Sequence, residues 1–184
     1  MNTRNNQQFQ RTGQRIEQCF LELLDQREIE RITVRMICER AGVHRSTFYA
    51  HYQDVYDLLD RARQRLNRDL AEQLSPLMKR PEFYRDAGLY VRMLAHLRQH
   101  RNFYHACLKK RRDFPVPDGQ ERIWEEIIRP DMERSGERDE EAMRYRLTFC
   151  QAGVTMIFRR WLDGGCREPE EWVARRIVEC IAPR

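Results

Sequence analysis

Arg45, Ser46, Thr47, Tyr49 and His51 bring five hydrogen-bonding side chains of moderate length into seven residues. Phe48 and Tyr52 lie four apart and form the inward-facing pair of the same stretch, which leaves the five for the other faces of a helix. Side chains of this kind suit hydrogen bonds to base edges and to phosphates. Enzyme chemistry has no comparable foothold. The chain carries no G-x-S-x-G, no phosphate-binding loop, no G-x-G-x-x-G and no H-E-x-x-H, and its carboxylates spread over charged helical faces without a pattern that singles out an acid–base pair. His96 and His100 share a helix face at a spacing metals use, but no carboxylate or cysteine joins them at ligand spacing. They are read as a solvated face or a helix end. No catalytic residue, metal or cofactor is expected.

Three short elements must hold the polar cluster in place. Thr33 is a good N-cap, and Val34, Ile37, Cys38 and Ala41 follow as one apolar helical stripe. Gly42 stands just past it, where a helix ends most easily in a left-handed conformation, and Val43 can plug the core at the turn. Residues 45–52 then fit a second short helix. Upstream, Ile16, Cys19, Phe20, Leu23 and Leu24 make the stripe of a helix that supplies a third wall. Downstream, Val55, Leu58, Leu59, Ala62, Leu66 and Leu70 continue into a long connecting helix.

The segment from Ile16 to Leu59 resembles the DNA-binding domain of TetR-type transcriptional regulators. The likeness is carried by Thr33…Ala41-Gly42-Val43, by Ser46-Thr47-Phe48-Tyr49-Ala50-His51-Tyr52 and by Asp57-Leu58-Leu59, in that order. The resemblance implies a role for each matching residue. Thr33 would touch a phosphate. Arg45, Ser46 and Thr47 would read bases or their flanking phosphates from the start of the recognition helix. Tyr49 and His51 would bind backbone phosphates. Two positions depart from the family pattern: Val55 stands where a lysine is usual, and His44 where Ser or Thr is usual. They imply one phosphate contact fewer and an altered cap on the recognition helix.

Composition sets wider bounds. Of 184 residues, 41% are hydrophobic, enough for a packed core in one ordinary domain or two small ones. The net charge of +5 and pI near 9.0 permit nucleic-acid binding without establishing it. Residues 1–60 hold eight arginines, no lysine and nine acids, so the DNA-binding reading rests on placement and not on bulk charge. The six cysteines are scattered with no C-x-x-C pair, which fits reduced, mostly buried thiols in the cytoplasm; Cys107 and Cys166 are the candidates for a redox role. No signal-peptide pattern opens the chain, and the longest charge-free apolar run is too short to span a membrane.

The remaining pattern is helical throughout. Residues 1–10 are rich in Asn and Gln and are expected to form a flexible tail, followed by a helix–turn–helix domain over 11–54 and a helical domain over 55–184. Breaks are expected at 75–81, 111–119, 135–136 and 163–165. Phe83, Ala87, Tyr90, Val91, Leu94 and Leu97 make one stripe, and Trp124, Ile127 and Ile128 belong to another. From Leu147 to Phe158 a helix is apolar on nearly all sides, which calls for burial on more than one face. Phe149, Ala152, Gly153, Met156 and Trp161 are the candidates for a homodimer contact, matching the resemblance, in which the last long helices pair two copies. The expectation is an all-α, homodimeric transcriptional regulator of a palindromic DNA operator, acting as a repressor released by a small-molecule effector in the C-terminal domain. No ligand residue can be assigned from the sequence. The alternatives are a helical interaction protein with altered DNA binding and a regulator without an effector, controlled by its concentration or by thiol state.

Overall fold

A computed structural model of the protein describes residues 3–110, 124–134 and 136–181. The expected breaks at 111–119 and at Ser135 lie outside them. Among the described residues every regular element is helical. The order is α1 (Thr3–Leu24), a 3₁₀ turn (Ile29–Arg31), α2 (Val34–Ala41), α3 (Arg45–His51), α4 (Val55–Met78), a second 3₁₀ turn (Phe83–Arg85), α5 (Ala87–Gln99), α6 (Arg101–Lys110), a π-helical stretch (Trp124–Ile128), α7 (Arg129–Arg134), α8 (Glu140–Asp163) and α9 (Glu170–Ile181).

The contacts divide the chain into two compact units. Among the described residues the first takes in 3–65 and 102–110, the second 66–101, 124–134 and 136–181. The first unit therefore reaches beyond the expected boundary at residue 54. The reason is visible in its core, where Leu58, Leu59 and Ala62 of α4 are fully buried with Ile16, Phe20, Ile37 and Phe48. Residues 102–107 join it as well: Phe103, Tyr104, Ala106 and Cys107 are buried, and Asn102 Nδ2 donates to Asp25 Oδ1 at 2.9 Å.

Two local expectations are corrected. Residues 3–10 of the expected tail are the opening turns of α1, a helix whose apolar face is anchored further along, and residues 1–2 lie outside the described residues. Pro76 does not break α4, which runs on to Met78. A proline removes only its own amide from the helical ladder, and near a helix end one lost bond leaves the preceding turns intact.

In the second unit α5 packs against α9 and more lightly against α8, and α7 packs against the π-helical stretch. Arg98 on α5 ties down the loop between α8 and α9. Its Nη2 donates to the carbonyls of Cys166 (3.0 Å) and Glu168 (2.9 Å), and its Nε meets Glu170 Oε1 at 2.9 Å. The guanidinium lies 5.1 Å from the centre of the Trp161 ring, and the Trp161 indole N–H donates to the Glu168 carbonyl at 3.0 Å. Trp161 is thus 3% exposed and committed to its own chain. That corrects its assignment to a dimer face. Trp124, Met132 and Met143 form a separate buried cluster, with Ile128 and Leu147 against it and Arg144 over the Trp124 ring.

Candidate nucleic-acid interface

α2 starts where expected. Thr33 is extended, and its hydroxyl oxygen accepts from the Met36 amide at 3.3 Å. The same hydroxyl keeps a proton with which to donate to a phosphate. Gly42 ends the helix at φ 60°, and its N–H and that of Val43 return to carbonyls of the last turn. A side chain at Gly42 would be strained by this backbone alone.

After that turn α3 is anchored from below by Phe48, fully buried, and by Tyr52, 8% exposed. Their rings meet at 5.6 Å, and the Tyr52 hydroxyl donates to the Gly13 carbonyl of α1 at 3.2 Å. Burial pushes the Tyr52 phenol up to about 12, so it is a neutral donor at any ordinary pH. With this face fixed, Arg45, Ser46 and Tyr49 stand exposed, and Thr47 and His51 are half-buried. The cluster of Arg45, Ser46, Thr47, Tyr49 and His51 is therefore brought together on one helix, with Thr33 exposed at the start of the preceding one.

The two departures have structural counterparts. His44 occupies the N-cap position of α3 without a side-chain cap bond. Val55 is 9% exposed and contributes to the core instead of offering a charge. Asp54 takes over the capping of α4: its Oδ1 accepts from the amides of Tyr56 (2.7 Å) and Asp57 (2.8 Å), while Asp57 Oδ2 accepts from the Gln53 amide at 2.9 Å.

One participant escaped the sequence reading. Phe9, in α1, stacks on His51 with ring centres 3.7 Å apart and planes inclined by 22°. Its spacing of four from Gly13 puts both on one face of α1, but nothing in the sequence pairs that face with His51. Burial, and secondarily the charge of Arg61, hold the His51 imidazole below its usual pKa.

On α8, Tyr145 and Phe149 are each 76% exposed and Met156 is 60% exposed. Ala152 and Gly153 are exposed on the same stretch. Residues 149, 152, 153 and 156 repeat at helical spacing, with Tyr145 one turn before them, so four of the five residues expected at a dimer contact lie along one outward stripe. Among the described residues no helix is long and apolar enough to cross a membrane, and no cluster of three metal-ligating side chains occurs.

A three-helix unit that presents a short polar helix after a glycine turn defines a helix–turn–helix DNA-binding protein. A family model described as bacterial regulatory proteins, tetR family, matches residues 21–62, and one described as transcriptional regulator C-terminal region matches residues 88–182, more than half of the chain. The chain belongs to the TetR family of transcriptional regulators, which are DNA-binding proteins and not enzymes. Solved structures share the fold over most of its length. The fatty acid degradation regulator FadR from Bacillus halodurans is 13% identical, with 92% of this chain and 94% of that one covered and a TM-score of 0.68. The dihydroxyacetone kinase operon activator DhaS is 19% identical, with 92% and 93% covered and a TM-score of 0.62. A tetR-family regulator from Streptomyces coelicolor is 15% identical, with 94% and 79% covered and a TM-score of 0.63. No curated protein sequence matches the chain.

Proposed function

We propose that the protein is a sequence-specific repressor that binds a palindromic operator as a homodimer in the cytoplasm and leaves it when a small-molecule effector binds the C-terminal region. The observation that carries the reading is the orientation of α3. Phe48 and Tyr52 pin one face to the core, so Arg45, Ser46 and Tyr49 point to solvent together. In this reading Arg45, Ser46 and Thr47 read bases or nearby phosphates, and Thr33, Tyr49 and His51 hold the backbone.

The outward stripe of Tyr145, Phe149, Ala152, Gly153 and Met156 supports pairing with a second copy. Large apolar side chains left this exposed need a cover, and a two-fold DNA site requires two recognition helices. Effector release would follow as a population shift, with the ligand favouring a dimer whose recognition helices no longer match the half-site spacing. The burial of Cys107 and Cys166 counts against a redox role for those two candidates. Cys19, Cys38, Cys107 and Cys166 are buried, and burial pushes Cys19, Cys38 and Cys166 up, away from the reactive thiolate.

Arg45→Ala tests the site directly. Its affinity for a preferred duplex should fall by about 1–3 kcal/mol relative to scrambled DNA, the scale of a good base contact. Equal affinity of wild type and variant for both duplexes would instead favour an interaction protein that has lost DNA reading.

A further inference from the structure

The imidazole of His51 sits in a cradle that α1 builds. Phe9 covers one ring face at a centroid distance of 3.7 Å. One turn further along, Gly13 leaves open the space beside the ring edge: a Cβ there would come within 3.2 Å of His51 Nδ1 and 3.5 Å of Cε1. The Gly13 carbonyl also accepts the Tyr52 hydroxyl at 3.2 Å, so the same turn of α1 fixes the two residues that end α3. Phe9 is itself 48% exposed, an unusual setting for a large apolar ring that serves only the core. A half-exposed imidazole can adopt several rotamers, and only a constrained one can meet a phosphate oxygen without first losing that freedom.

We propose that Phe9 is a positioning residue for DNA binding: stacked on His51 and aided by the open notch at Gly13, it holds the imidazole in the one orientation from which it donates to a backbone phosphate. The inference rests on the DNA-binding role given to His51 above and adds to it a second residue from outside the helix–turn–helix. Arg61 of α4 is the cation that acts on the ring, the Tyr52 phenol is neutral, and Phe9 and Gly13 bring no charge.

The test is a double-mutant cycle on the full chain with Phe9→Ala, His51→Ala and the pair. The probe is the duplex that the wild-type protein enriches from a randomised pool, and the cycle is run at pH 8, where an imidazole is neutral in every variant. Phe9→Ala should weaken binding roughly three- to tenfold, the scale of one hydrogen bond, and should have no further effect when combined with His51→Ala. Phe9→Tyr, which keeps the stack, should restore wild-type affinity. A loss of the same size whether or not the His51→Ala substitution is present, or no loss at all, overturns the proposal. NMR titration of the histidines in the protein without DNA gives a reading independent of DNA. The His51 pKa should rise towards its ordinary value in Phe9→Ala, because the ring regains water; an unmoved value overturns the cradle. Should the wild type enrich no duplex while the His51 titration still moves, the DNA-binding reading of His51 fails and the positioning role fails with it, but the stack stands.

Discussion

Arg45 is the residue on which sequence reading by this protein should turn, because it is exposed at the first position of α3 while its neighbour Phe48 locks the helix in place. Thr33 serves two ends. Thr33→Ala should cost about 1 kcal/mol of stability through the lost cap, measurable as a lower denaturant midpoint, and should weaken binding to all duplexes alike. The cap, the turn and the buried face of α3 were legible in the sequence because each depends on local chemistry: a hydroxyl before a helix, a glycine after one, two aromatics four apart. The partnership of Phe9 with His51 was not legible, since it joins residues 42 apart that meet only once α1 and α3 have packed. Trp161 shows the converse. An apolar run followed by tryptophan has the same pattern whether it meets its own chain or a second copy. The indole N–H settled the matter by finding the Glu168 carbonyl.

At the scale of elements, periodicity located the helices, and breaks were harder. The stripes around Ile37, Leu58 and Leu94 all became helices with those residues buried. Pro76 was misleading because a single missing amide near a helix end does not terminate the ladder. The tie between α5 and the loop before α9 was hidden as well, because the partners of Arg98 lie about 70 residues away and leave no periodic trace. Arg98→Ala should release the loop of residues 164–169 and lower stability by about 1–3 kcal/mol, seen as a lower melting temperature, because two carbonyls and a carboxylate lose a charged donor together. His96 on α5 is buried and not on the solvated face or helix end expected of it, and it should make the fold sensitive to acid. It is 6% exposed, and burial first, then the neighbouring His100, brings its pKa down from 6.5 to about 4, with Asp69 opposing. The folded state therefore holds this proton less tightly than the unfolded chain does. Its contribution is complete above pH 6.5 and is lost as pH falls towards 4, by about 3 kcal/mol in all. Chemical denaturation at pH 7 and pH 4.5 should show a smaller difference in His96→Gln than in wild type.

The whole molecule must be a dimer for the account to work, because one α3 reads only half of a two-fold site. Phe149→Glu places a charge in the middle of the outward stripe, one turn from Tyr145 and two from Met156. Light scattering should report a shift from dimer to monomer, with affinity for an inverted repeat falling at least tenfold as the second half-site's contribution is lost. Far-UV helicity should stay the same, since residue 149 touches solvent and not the core. The division into two units was only partly readable from the chain: α4 carries one uninterrupted stripe, and nothing in its composition marks the change at residue 65. Sequence-specific DNA binding by α3 is tested by selection of DNA by the wild-type protein from a pool of randomised duplexes, with the winners checked by fluorescence anisotropy at two salt concentrations. A regulator that reads DNA with two copies of α3 should enrich an inverted repeat, with half-sites about one helical turn or a multiple apart, and its binding should weaken as salt rises. A pool that stays random after repeated rounds, with equally weak binding to every duplex, would contradict that reading.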